Sequence, residues 1–286
     1  MSAISLSARR GRRLPRGGTV LKHLILAAVA VVIAFPFYWM LTTALKSFFE
    51  ATLFPPTLFP AEAHPENFAQ AWAAAPWARY FTNTVIIVAV VTAGEITTAV
   101  LAAYAFARMR FRGKQLIFML FLATLMIPSE ATLIPNFVLV TKYLRWSNTL
   151  QAQIVPFLAS AFSIFLLRQH FLSIPNELAD AARIDGAGHL RFLRSIVLPL
   201  SVPVLVTVAL IQGIGVWDSF LWPLLVTSSD SVRPIQVGMS QFRTEFGAQY
   251  HLEMAAATFV IAPIVLVFLV AQRHLIQGFA RPGLRG

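Results

Sequence analysis

The chain has 286 residues, of which 57% are hydrophobic and only 12% charged, and its mean hydropathy is +0.70. A soluble domain carries about one-quarter charged residues, so lipid is the expected solvent for most of this chain and no second, soluble domain is expected. The absence of cysteine excludes a disulfide framework or thiolate metal site. The net charge of +11 does not imply a nucleic-acid partner, because the Lys and Arg flank apolar runs and read as topology signals.

Six apolar segments are each long enough to cross a bilayer, at about 24–45, 81–107, 116–140, 149–167, 202–225 and 253–272. The expected fold is an all-α polytopic membrane protein with six transmembrane helices. A basic tail (1–23) precedes a transmembrane domain (24–272), and a second tail (273–286) follows. Arg9, Arg10, Arg12, Arg13 and Arg16 resemble the charged start of a secretory leader, but the apolar run behind them is too long and no small-residue cleavage site follows before Lys46. With the N-terminus inside, the inner segments hold 17 of the 23 Lys and Arg with three acids, against six bases and six acids outside. Both termini are therefore expected in the cytoplasm.

Along the chain, the first outer loop holds the run 53–60, rich in proline, and then 67–72, expected as a short helix lying on the membrane surface. Pro128 and Pro135 interrupt the third span and Pro203 and Pro223 the fifth, predicting kinks or re-entrant ends. The last outer loop, 228–252, is polar and mixed in charge. It reads equally as a surface reaching a soluble partner and as a solvated connector.

The inner loop between the fourth and fifth spans, about 168–199, is written as two short helices. Ser173 or Asn176 is expected to cap the first, Pro175 fits its opening turn, and Glu177 and Asp180 suit the positive end of the helix dipole. Leu178, Ala181, Ala182 and Asp185 recur at helical spacing, and the alanines let another surface approach the backbone. Gly186 and Gly188 break the helix before an apolar stripe of Leu190, Leu193, Ile196 and Val197. A compact elbow follows, although an amphipathic hairpin lying on the membrane has the same periodicity.

Asp180-Ala181-Ala182, then Gly186, Ile196 and Leu198-Pro199, resembles in every spacing the EAA loop of ABC-importer permeases. The run 181–187 resembles the form found in the carbohydrate-uptake branch. Met126-Ile127-Pro128 with Ile134-Pro135, Phe171 through Pro175, and 217–224 resemble segments of the second, MalG-like permease subunit. Asp180 stands where the motif has Glu, Trp217-Asp218 stands where Trp-Asn is expected, and the tail 277–286 is only loosely similar.

The resemblance implies a coupling element that docks on a separate ATPase through Glu177, Asp180, Ala181, Ala182, Arg183, Asp185 and Gly186. It further implies two copies of that ATPase binding ATP and Mg, a second permease subunit on a different chain, and an extracytoplasmic solute-binding protein. The chain itself is expected to hold no cofactor or metal and to have no catalytic residue.

For the solute path, Glu130, Asn136, Gln212, Trp217 and Asp218 are the candidates, carboxylates and amides beside aromatic faces being suited to a sugar. Glu95, next to Gly94 and Thr97, reads as a hydrogen-bonded packing residue. No Lys or Arg falls deep in a span, which favours a neutral sugar or polyol over a phosphorylated one, although this branch also resembles glycerol-phosphate permeases. The chain has no Gly-x-x-x-x-Gly-Lys-[Ser/Thr] loop to cradle ATP and no His-Glu-x-x-His metal motif. The competing class is an ion-coupled carrier using Glu95, Glu130 and Asp218, but no internal repeat supports it. An intramembrane enzyme lacks a histidine base at membrane depth.

Overall fold

A computed structural model describes residues 16–246 and 249–280, with side chains over 19–243 and 249–269. Among the described residues every regular element is helical. In chain order these are α1 (Arg16–Ala44), α2 (Phe48–Ala51), α3 (Glu66–Ala73), α4 (Trp77–Arg108), α5 (Lys114–Thr124), α6 (Ser129–Val138), α7 (Leu150–Ile154), α8 (Ala161–Ser173), α9 (Asn176–Ile184), α10 (His189–Phe192), α11 (Leu198–Leu200), α12 (Val202–Trp217), α13 (Leu221–Val226), α14 (Ile235–Phe246) and α15 (Tyr250–Ala280).

Four helical stretches are long and apolar enough to cross a membrane, and two bent pairs bring the number to six. The expected third span is broken: α5 and the stretch from α6 through a π-helical turn to Tyr143 meet at 95°, just where Pro128 stands. Proline removes an amide donor and forces the preceding residue away from helix, so the chain turns there. The expected fifth span ends early at Trp217, and α12 meets the stretch His189–Leu200 at 78° beside Pro199 and Pro203. The two tails also shift, α1 opening at Arg16 and α15 running on to Ala280. Arg9, Arg10, Arg12, Arg13 and the end of the tail, 281–286, lie outside the described residues.

The long α4 is the spine, packed along α8 and α12. The turn that leads into α8 also presses on α4: a Cβ on Gly94 would stand 2.5 Å from Leu158 Cδ2, and Thr98 Oγ1 donates to Leu158 O at 2.6 Å. One core lies at the elbow end of α4 and includes Tyr104, Phe106, Phe118, Leu167, Phe171, Ala182, Phe192 and Val197. A second lies at the opposite end, where Trp77, Tyr80, Ile235, Phe242 and Ala256 meet. By contrast α1 keeps residues 19–37 exposed and becomes buried only at Thr42–Ala44.

The outer loops are folded onto the helices. The helix containing 67–72, α3, packs one face on α15, with Asn67 and Ala71 buried. Asn67 Nδ2 donates to the Ala44 and Lys46 carbonyls at 2.9 and 2.8 Å, sealing the end of α1, which water cannot do inside a packed core. The segment 228–252 is no plain connector either, because it contains α14, whose Ile235, Val237 and Phe242 enter the second core.

Candidate functional site

The elbow is built from the end of α8, α9 and α10. Pro175, extended at φ −55° and ψ 141°, is the N-cap of α9, and no side chain caps it. The expected caps are otherwise engaged: Ser173 Oγ donates to His170 O at 2.7 Å, and Asn176 Oδ1 accepts from Arg108 Nη1 at 2.6 Å. Arg108 also donates through Nη2 to Phe171 O at 2.7 Å and to Ile174 O. One guanidinium at the end of α4 thus gathers the acceptors of the α8–α9 corner, the geometry its planar fork of donors suits.

The second corner is a Schellman motif. Gly186 has φ +73°, its N–H bonds Arg183 O at 3.0 Å, and Ala187 N–H bonds Ala182 O at 2.8 Å. The apolar contact that accompanies this motif joins Ala182 and Ala187, both part of the elbow core. His189 then meets the Tyr104 hydroxyl at 3.0 Å, tying α10 back to α4. Between the elbow and the end of α4 lies a cleft of about 560 Å³, lined by Tyr104, Arg108, Asn176, Arg183 and His189.

The seven residues expected to dock divide in two. Glu177, Asp180, Ala181, Arg183, Asp185 and Gly186 are exposed, whereas Ala182 is 4% exposed and faces its own chain. Ala182 is part of the elbow core, and Ala187, across the corner between α9 and α10, packs against that core. The outward apolar groups are Leu178, Ile184 and Leu190, the last two 88% and 72% exposed. Ile184 was missed, standing three residues on from Ala181 but outside the stripe of Leu178, Ala181, Ala182 and Asp185. Arg108 was missed as well, since a basic residue at a span end looks like any topology charge.

At the opposite end the loop 227–235 is held down by side chains. Asn148, at φ +58°, accepts at Oδ1 from the Ser228 and Ser229 amides at 2.9 and 3.0 Å. Asn83 Nδ2 donates to Ser231 O and Arg233 O, Gln153 Nε2 to Val232 O, and Thr84 Oγ1 accepts from Ile235 N. Tyr80 donates its hydroxyl to Asp230 Oδ1 at 2.8 Å, and Arg233 pairs with the same carboxylate at 2.7 Å. The Tyr80 bond and the Arg233 charge hold the Asp230 carboxyl below its ordinary value, against a smaller upward push from burial.

The five expected solute-path residues do not converge. Gln212 lines a cleft of about 120 Å³ between α4, α7 and α12, and Trp217 lines an apolar groove of about 440 Å³ on another side of α12. Glu130 and Asn136 are exposed on α6, Glu130 in its first turn with Ser129 Oγ donating to Oε1 at 3.1 Å. Asp218 is the exposed C-cap of α12, reached by Gln236 Nε2 at 3.5 Å. Glu95 is fully buried and accepts from Ser163 Oγ at 2.5 Å, joining α4 to α8 as a packing residue.

This arrangement of broken spans and elbow is the fold of an ABC-importer membrane subunit. A chain of the crystal structure of a bacterial ABC transporter involved in the import of the acidic polysaccharide alginate superposes with a TM-score of 0.81 at 21% identity, covering 93% of this chain and 99% of that one. Residues 95–281 match the family described as the binding-protein-dependent transport system inner membrane component. The arabinooligosaccharides transport system permease protein AraQ of Halalkalibacterium halodurans is 36% identical over 207 residues, 72% of this chain and 74% of that protein. The sn-glycerol-3-phosphate transport system permease protein UgpE of Yersinia enterocolitica is 34% identical over 271 residues, 92% and 96% of the two chains. The probable ABC transporter permease protein YurM of Bacillus subtilis is 33% identical over 261 residues, 90% and 85%. The chain belongs to this family of ABC-importer permeases and is a multi-pass inner-membrane protein.

Proposed function

We propose that this chain forms half of the translocation path for a sugar or sugar-like solute and, without catalysing a reaction itself, is driven by a separate ATPase that docks on the elbow. The observation that carries the reading is the elbow's construction, rigid within and unfinished outside. Arg108 and the Gly186 turn fix its shape, while Ile184 and Leu190 are left without cover. A lever of fixed shape transmits closure of a partner as a movement of the spans it is tied to.

In this reading Glu177, Asp180, Ala181, Arg183, Asp185 and Gly186 rim the docking face, and Ala182 braces it from behind. The ATPase, in two copies, binds ATP and Mg; a second permease subunit covers the exposed length of α1, and a solute-binding protein meets the opposite end. In this reading the elbow end and both termini are cytoplasmic, which the excess of Lys and Arg in those segments supports. A phosphorylated polyol is the second reading of the solute, favoured by the end-to-end match to the UgpE permease.

Tagged chain drawn from gently solubilised membranes tests the reading. Wild type is expected to retain an ATPase and a second permease, and Ile184→Glu, which removes no internal contact, to lose the ATPase and keep the permease. Absence of any ATPase from wild type would bring the ion-coupled carrier to the front.

A further inference from the structure

We propose that the chain builds its own subsite for an uncharged, hydroxyl-bearing unit of the solute, in the cleft between α4, α7 and α12. The inference rests on the importer reading and names the part of the solute this subunit holds. The cleft has a volume of about 120 Å³, and its lining includes Gln153, Phe157, Gln212, Gly215, Ser219 and Trp222. At about 30 Å³ per water it has room for about four waters, the space of a short polyol or one edge of a sugar ring. A longer solute therefore reaches it with one unit at a time.

Its chemistry is polar without charge. Gln153 is 2% exposed, and its Nε2 is held by Val232 O at 3.0 Å, which orients the amide and leaves Oε1 buried with no donor. A buried carbonyl in that state is stabilised by any hydroxyl that reaches it. Gln212, half-buried on the facing helix, adds an amide that makes no hydrogen bond among the described residues, and Ser219 adds a hydroxyl.

Thr84, also in the wall, is already satisfied by Tyr80 O and the Ile235 amide. The Trp222 N–H is bonded to Ala152 O at 2.9 Å, so what its ring offers the cleft is carbon, with Phe157 edge-on at 6.0 Å. Amide groups for hydroxyls beside aromatic carbon for C–H faces is the surface a sugar edge fits. No charged side chain lines the cleft. A phosphate there would be desolvated without a partner, which is prohibitive.

Gly215 gives direct access for a test. A Cβ at Gly215 meets nothing within 4 Å, whereas one at Gly213 faces Thr92 and Val88 at 3.8 Å in the neighbouring apolar groove. Because the chain has no cysteine, Gly215→Cys creates a single thiol at the cleft and Gly213→Cys a control beside it.

In the assembled importer, the rate of maleimide labelling of this chain is measured with L-arabinose, glycerol or inorganic phosphate at matched concentration. Either neutral probe is expected to slow labelling at position 215 by 1 + [L]/Kd, about five-fold at about four times Kd. Phosphate should have no effect, position 213 should be indifferent to all three, and adding Gln212→Leu should remove the protection. An unreactive thiol in the Gly215→Cys variant, protection by neither neutral probe, equal protection by phosphate, or protection that survives Gln212→Leu overturns the subsite. ATPase co-purification is scored on the same preparations, so failure of the importer reading is seen separately from failure of the subsite.

Discussion

The two ends of the molecule solve the same problem, a loop leaving helical spans, in opposite ways. At the cap end, the loop 227–235 has its polar groups met by side chains from distant elements: Asn148, Asn83, Gln153, Tyr80 and Thr84. At the elbow end, side-chain ties are concentrated in one residue, Arg108, with Tyr104 assisting. The rest is backbone geometry around Gly186, and the outer apolar residues are left open. A surface that must be met by another chain can leave apolar groups uncovered, whereas a loop that must hold its own shape satisfies its polar groups internally. The elbow is therefore sensitive at few positions and the cap at many.

The largest effect that distinguishes them is expected at Asn148. Asn148→Ala removes the acceptor of two loop amides and a donor to Ser229 Oγ, and places alanine at φ +58°, where Asn is tolerated better. A loss of about 3 kcal/mol follows from the unpaired groups and the strain. Thermal unfolding of the purified complex should show it, with hydrogen exchange rising over 227–235 and not at the elbow. Arg108→Met should cost somewhat less, about 2 kcal/mol, since it frees the Phe171 and Ile174 carbonyls but adds no backbone strain. Its signature is reversed: protease sensitivity between 172 and 189, with the cap unchanged. If both substitutions loosened both ends, the two regions would form one cooperative unit and the contrast would fail.

At Gly186 the comparison sharpens into a question of backbone. A side chain there meets open space, so the only penalty is the left-handed conformation. Gly186→Val should lose about 1–2 kcal/mol and Gly186→Asn less, because Asn visits that region. ATPase retention should follow the same order, wild type above Asn above Val. Equal loss for Asn and Val would mean that the side chain obstructs docking, and the turn angle would not be the cause.

How much of this could be read from the sequence depends on the range of the interaction. The elbow was legible because its determinants are local: Pro175, the alanines and Gly186 act within one or two turns. The number of apolar segments was legible for the same reason, since hydropathy is a property of a window. The 95° break at Pro128 was visible only as interruption, because the angle is set by what α5 and α6 each pack against. The solute-path residues are not gathered into one cleft by this subunit. Glu130 and Asp218 drew attention as charges in apolar runs, yet both prove to stand at helix ends, exposed. Gln153, whose Oε1 is buried without a donor, gives no local signal at all, since its partner Val232 lies 79 residues away. Arg108 was hidden likewise, its acceptors being more than 60 residues on.

The smallest expected effect is electrostatic and lies in the cap. Tyr80 and Arg233 favour the ionised form of Asp230, so its carboxyl titrates lower in the folded protein than in the unfolded chain. A depressed acid contributes stability that is complete above the unfolded value, about 3.9 for aspartate, and is lost as pH falls through the lower folded value. Because the Asp230 side chain is 55% exposed, solvent screens the pair, and the contribution stays below about 1 kcal/mol. Wild type should therefore unfold at a slightly higher temperature than Asp230→Asn at neutral pH, with the gap narrowing only below about pH 4. The elbow pair of Asp180 and Arg183, 65% exposed on both sides, should show no such gap in the matching Asp180→Asn comparison. A gap that persisted unchanged into strong acid would assign the Asp230 effect to packing of the loop and not to its charge.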